Sequence, residues 1–124
     1  MKNKYLVLNQ PGKFERKENT IDLKLSKGEA LVKIKKIGVC GTDYHAFKGN
    51  QPFFTYPRVL GHELGAKVIK MQSESDDLAI GDRVAVEPYL NCGRCQTCLN
   101  GKCNCCEELK VLGVHVDGGM ATYL

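Results

Sequence analysis

All but one of the chain's seven cysteines fall in the stretch NCGRCQTCLNGKCNCC, from Asn91 to Cys106. Within it Cys92, Cys95, Cys98 and Cys106 follow the spacing CxxCxxCx7C. Three thiolates on a tight turn and a fourth returning after seven residues can surround one tetrahedral ion, with Gly93 and Gly101 supplying backbone freedom. The chemistry this implies is a structural zinc site. Four sulfurs leave no coordination position for water or substrate, so such a site stabilises a fold and does not activate a nucleophile. An iron–sulfur cluster is the rival. The bacterial ferredoxin run needs its fourth cysteine after three intervening residues, followed by proline, and here that position is Lys102, followed by Cys103. A colourless protein is therefore expected, not a brown one. Cys103 and Cys105 stay outside the ligand set as free or buried thiols, and Cys105 replaces Cys106 only if the loop is drawn one residue shorter.

The remaining cysteine, Cys40, lies in GVCGTDYH, and further on GHELG carries the adjacent pair His62 and Glu63. Thiolate, imidazole and carboxylate together suit zinc, and three protein ligands leave a fourth position open for water or substrate. Taken singly each is weak. A lone cysteine at a strand end is usually a small apolar filler, and a His-Glu pair in a turn is more often a hydrogen-bonding feature than a metal site.

The elements that must position these residues read as strands. KYLVLN, EALVKIKKIGVC, LGAKVIKM and DRVAVEPYL are short, rich in Val, Ile and Leu, partly alternating, and separated by glycine-bearing turns. In ALVKIKKIG the apolar Leu31, Val32, Ile34 and Ile37 are interrupted by Lys33, Lys35 and Lys36, as in a strand with one face in water. This places Cys40 at a strand end. TDYHAFKG is expected to make one or two helical turns, with Thr42 as N-cap and Gly49 near the stop. QSESDDLAIGD reads as a solvated acidic turn. The expected architecture is a mostly antiparallel β domain, a partly closed barrel with one irregular cysteine-rich excursion.

The length of 124 residues suits one domain, and 43% hydrophobic with 26% charged residues is an ordinary globular balance. The formal charge of +4 is mild, and its lysines are spread along the chain, which argues against nucleic acid as a partner. MKNKYLVLNQPGKF offers no apolar run long enough for a signal-peptide core or a membrane span, so a cytoplasmic location is expected. In that reducing compartment closely spaced thiols point to metal rather than disulfides.

Read in order, GVCGTDYH, YPRVLGHE, GDRVAVEP, CGRCQTCLNGKCNCC and GVHVDGGMATYL resemble, from end to end, the N-terminal GroES-like catalytic domain of zinc-dependent medium-chain alcohol and polyol dehydrogenases. The resemblance implies a mostly β, GroES-like partly closed barrel with short helices across residues 1–124, and a structural-zinc lobe at about 91–110. By this resemblance Cys40 and His62 match catalytic-zinc ligands, and Glu63 the neighbouring carboxylate that binds the ion directly or through water. Cys92, Cys95, Cys98 and Cys106 match the structural-zinc ligands. Thr42 matches the hydroxyl that accepts the substrate alcohol's proton, His45 the residue that passes it toward solvent, and Asp43 a carboxylate that orients the histidine ligand. The family's GHExxG becomes GHELGA here, with Ala66 at the usual glycine position and the ligands untouched.

The resemblance also implies Lewis-acid chemistry, in which zinc lowers the pKa of an alcohol and hydride passes to NAD or NADP. The substrate would be a small-molecule alcohol, and CGTDYHAFKGNQPFFTYPRVLGHELG most resembles the polyol and sugar-acid branch, with Tyr44, Phe53 and Phe54 as either pocket lining or packing. No GxGxxG follows a strand, so no cofactor-binding residue is assigned and the Rossmann domain lies outside this chain. The family draws a further catalytic-zinc ligand from outside this region too. The expectation is therefore a catalytic domain of a longer, homodimeric or homotetrameric enzyme, inactive when isolated. The competing expectation is a stand-alone zinc-binding structural or interaction module, or a thiol redox module.

Overall fold

The computed structural model describes residues 1–72 and 77–124. Strand β1 (Lys2–Gln10) turns at Pro11 and Gly12 into β2 (Lys13–Thr20), pairing antiparallel from Lys2↔Thr20 to Gln10↔Lys13. The sequence KFERKENT has no apolar alternation and every residue of β2 is exposed, so the hairpin partner, and not a buried face, makes it a strand. The other edge of β1 takes the short β4 (Arg58–Val59).

A second sheet orders β3 (Ala30–Gly38), β5 (Glu63–Met71) and β6 (Arg83–Val86) as β3-β5-β6. Strand β5 buries Leu64, Ala66 and Val68 at alternate positions while Glu63 and Lys67 stay exposed, the period-2 pattern of a strand half in water. Ala66 is 4% exposed, so its methyl fills core space. Strand β3 alternates less cleanly because its register slips between Leu31 and Val32 and again between Ile34 and Lys36; Leu31 is buried whereas Ile37 is exposed.

The C-terminal residues form the seam between the sheets. Tyr5 bridges Ala121 and Lys33 bridges Tyr123. Leu6 N–H donates to Met120 O at 2.9 Å, and Val32 and Leu124 exchange hydrogen bonds of 2.9 and 3.0 Å. The result is mostly β and open: among the described residues no pairing joins β2 to β6. Among these residues, too, no helix is long and apolar enough to cross a membrane. The acidic turn expected at QSESDDLAIGD lies partly outside the described residues, while its end closes with Ala79 N–H donating to Asp82 Oδ2 at 2.9 Å.

Helix α1 (Gly41–Lys48) departs from expectation at its start. The N-cap is Cys40, not Thr42, and strand β3 stops at Gly38. The carboxylate of Asp43 reaches back to accept the Cys40 N–H at 3.0 Å, pairing one of the orphan donors of the helix start. Gly49 ends the helix in the left-handed conformation, φ 81°, as expected. Ala46 anchors α1 in a core with Leu8, Phe54, Leu60 and Val114, against which Tyr56, Val111 and Met120 pack. Phe54 is thus packing, edge-on to Tyr56 with ring centroids 4.9 Å apart, whereas Phe53 and Tyr44 are exposed.

Backbone contacts set the approach to His62. Gly118, Gly119 and Met120 donate to the carbonyls of Val59, Gly61 and Leu60 at 2.8 Å each. A Cβ at Gly118 would stand 2.3 Å from the Gly61 carbonyl oxygen, so only glycine lets these segments close on each other.

Candidate metal centres

Strands β7 (Tyr89–Leu90) and β8 (Lys110–Val111) pair antiparallel and clamp the two ends of the cysteine excursion. Between them, Cys95 caps a single helical turn, α2 (Gln96–Leu99), that carries Cys98, and a 3-10 turn over Cys103–Cys105 delivers Cys106. The sulfurs of Cys92, Cys95, Cys98 and Cys106 all lie within 4.8 Å of one another. A tetrahedron of about 2.3 Å zinc–sulfur bonds has edges of about 3.8 Å, so the arrangement needs at most a small contraction to hold the ion.

Donors already point at these sulfurs. Cys95 N–H and Arg94 N–H donate to Cys92 Sγ at 3.3 and 3.5 Å, Cys92 N–H to Cys106 Sγ at 3.3 Å, and Asn91 Nδ2 to Cys98 Sγ at 3.7 Å. Such donors favour thiolates over thiols. The Thr97 hydroxyl, 3.1 Å from Cys95 Sγ, draws that thiol down to about 5. Its single proton serves either this sulfur or the Cys105 carbonyl 3.0 Å away. Burial pushes Cys98 up to about 12, so filling the centre displaces that proton. The donor set fits a structural zinc. Cys103 and Cys105 are exposed and stand outside the group.

The second centre forms where β5 begins beside the N-terminus of α1. Cys40 Sγ and His62 Nε2 are 3.0 Å apart, and a Glu63 oxygen lies within 4.8 Å of both. Pairing of β3 with β5 sets Gly38 opposite Glu63, and a Cβ at Gly38 would come within 2.2 Å of Glu63 Oε2. The missing side chain is the space the carboxylate occupies.

Two further observations point to a cation here. Asp43 is a buried carboxylate, 4% exposed, that among the described residues accepts a single hydrogen bond, from Cys40 N–H. Among the described residues His62 Nδ1 is buried without a hydrogen-bond partner, with Asp43 Oδ1 3.8 Å away. A buried anion beside a soft donor set is stabilised by positive charge, and an Nδ1–H facing Asp43 leaves Nε2 free to ligate. These residues fit zinc with an open position. We expect Asp43→Ala to lower zinc affinity at this centre by about ten- to hundredfold in chelator competition, while the four-thiol centre stays filled.

Thr42 and His45, three apart on α1, share a helix face but are not hydrogen-bonded to each other; Thr42 is half-buried and His45 exposed. Sequence reasoning overlooked Gly38, Asn91 and Thr97, whose parts appear only in contact, and Asn50, whose side-chain Oδ1 sits 3.0 Å from His45 Nδ1.

A β domain with one four-thiol group and one Cys-His-carboxylate group, each able to hold a metal ion, is of the zinc-binding domain class. The chain belongs to the alcohol dehydrogenase GroES-like domain family, whose profile matches residues 26–124. It is 48% identical over 119 residues to L-galactonate-5-dehydrogenase of Escherichia coli K12, covering 96% of this chain and 35% of that protein. The structure matches a short chain alcohol dehydrogenase from E. coli CFT073 solved with NADH, at a TM-score of 0.87 and 38% identity, over 99% of this chain and 35% of the other. It also matches a putative zinc-binding dehydrogenase from Sinorhizobium meliloti 1021 bound to NADP, at 0.81 and 34%, over 100% and 36%. The chain therefore spans about a third of the length of these relatives.

Proposed function

We propose that residues 1–124 form the zinc-binding catalytic domain of an NAD(P)-dependent dehydrogenase that oxidises a small-molecule alcohol, within the polyol and sugar-acid branch. The observation that carries this reading is the Cys40–His62–Glu63 group, backed by the buried and otherwise underpaired Asp43. A closed four-thiol site alone would serve a structural module equally well; an open mixed-ligand site favours catalysis.

A zinc ion held there supplies Lewis-acid polarisation of an alcohol oxygen, lowering its pKa toward neutrality. The chain's own residues do the rest of what this domain contributes. Cys40, His62 and Glu63 would hold the ion, and Asp43 would orient His62 while its other oxygen accepts the Cys40 backbone N–H. Thr42 would accept the alcohol proton as its own hydroxyl proton passes on through a bridging hydroxyl or water to His45, which is exposed on the same helix face and would release a proton to water. Cys92, Cys95, Cys98 and Cys106 hold the lobe. The nicotinamide cofactor is assigned no residue in 1–124, and its domain would be supplied by a longer, homo-oligomeric and cytoplasmic protein.

The test is to purify the product of the whole reading frame that contains these residues, measure its zinc, and assay NAD- and NADP-linked oxidation of a panel of polyols and sugar acids. Two zinc ions per subunit, one exchangeable, with turnover that the isolated 124-residue chain lacks, is the expected result. A frame that stops near Leu124 with a single tightly held ion, or robust dehydrogenase activity of the isolated chain, would overturn it.

A further inference from the structure

We propose that Asn50 is the positioning residue for His45, holding its neutral imidazole with the proton on Nδ1 and reserving Nε2 as the nitrogen that takes up and gives off the relayed proton. The proposal rests on the reading of His45 as a proton-relay residue.

The placement of Asn50 follows from the end of α1. Gly49 at φ 81° turns the chain back on the helix, with its N–H donating to Ala46 O at 3.1 Å, and Asn50 N–H donates to His45 O at 3.1 Å. The turn is confined on its far side, since a Cβ at Gly49 would meet Pro11 Cγ at 2.8 Å. Asn50 is therefore held to His45 through the backbone before its side chain makes any contact. The side chains then meet with Oδ1 3.0 Å from Nδ1. An amide oxygen only accepts, so the nitrogen facing it carries the hydrogen; a neutral imidazole has one such hydrogen, and Nε2 is left with its lone pair.

The proton balance closes on that one nitrogen. Nε2 takes up a proton, Nδ1–H stays bonded to Asn50 through the imidazolium state, and the exposed ring returns the proton from Nε2 to water. The opposite amide orientation, with Nδ2 donating to a bare Nδ1, would invert the assignment and block Nε2 as a base in the neutral ring.

The experiment is 15N–1H correlation of the His45 ring nitrogens in the zinc-loaded product of the whole reading frame, at a pH where the ring is neutral. The expected spectrum has hydrogen on Nδ1 and a pyridine-type Nε2. Asn50→Ala should return the ring to a mixture dominated by the Nε2–H form, and Asn50→Asp, which keeps an acceptor oxygen, should restore Nδ1–H. An Nε2–H ring in the unmodified chain, or a ring unchanged by Asn50→Ala, overturns the proposal. In the full-length enzyme Asn50→Ala should lower kcat about tenfold, part of what general acid–base catalysis contributes, with Asn50→Asp recovering it; an unchanged kcat overturns the link to the relay. The tautomer is read without turnover, so a protein lacking dehydrogenase activity would defeat the proposed function while leaving the Asn50–His45 assignment in place.

Discussion

Replacing Cys98 with Ser is expected to empty the four-thiol centre and unfold the lobe between β7 and β8. Cys98 is buried and Asn91 donates to its sulfur. Apart from the thiols the excursion is held by a two-residue strand pair at its base, one turn of helix, one 3-10 turn, the Thr97–Cys105 hydrogen bond and an exposed Arg94–Glu108 ion pair, none of which buries a core. Apparent structural-zinc binding energies are on the order of 10 kcal/mol and couple directly to folding. Capturing even about 3 kcal/mol of that would lower Tm by roughly 10 °C in a domain of this size. Zinc analysis and thermal melts of Cys98→Ser and Cys95→Ser should both show the loss, whereas Cys103→Ser and Cys105→Ser, at exposed positions outside the group, should keep the ion. Retention of zinc and stability in Cys98→Ser would remove the structural role.

In the proposed full-length dehydrogenase Cys40→Ser is expected to do the reverse: turnover falls by at least about a thousandfold, because Lewis-acid stabilisation worth several kcal/mol would be lost at roughly tenfold per 1.4 kcal/mol. The fold should survive. Cys40 contributes its sulfur to the centre and its backbone to the start of α1, and the backbone hydrogen bond to Asp43 remains in the variant. The two substitutions thus separate the centres by readout, one in melting temperature and the other in kcat. If Cys40→Ser and Cys98→Ser behaved alike in thermal melts, the division between a structural and a catalytic ion would fail.

The two centres differ in how far residue order exposes them. The four-thiol ligands sit within one short excursion, so their spacing alone predicts a shared ion, and the structure gathers the same four sulfurs. Cys40, His62 and Glu63 are gathered by long-range pairing of β3 with β5 and by where α1 begins. Neither is written in local pattern, which is why resemblance to a family, and not spacing, pointed to that group. Thr42 looked like the helix cap because hydroxyl side chains favour that position. The helix instead starts at Cys40, whose N–H the Asp43 carboxylate accepts from the first turn.

Strands whose faces are half buried could be read from alternation, as in β5, but β2 could not, because nothing in KFERKENT is buried and its hairpin with β1 alone makes it a strand. The C-terminal seam was equally silent, since bridges such as Lys33 to Tyr123 depend on partners far away in the chain. Local chemistry in the sequence was enough to read a mostly β chain and the spacing of the four thiols, while Cys40, His62 and Glu63 came together as a group only through resemblance to a family. Three-dimensional packing decided that Glu63 fits because Gly38 lacks a side chain, that Asp43 is a buried anion facing His62, and that Asn50 meets His45. The reason is range: spacing specifies ligands that share a loop, whereas burial, clearance and hydrogen-bond partners exist only once distant segments pack.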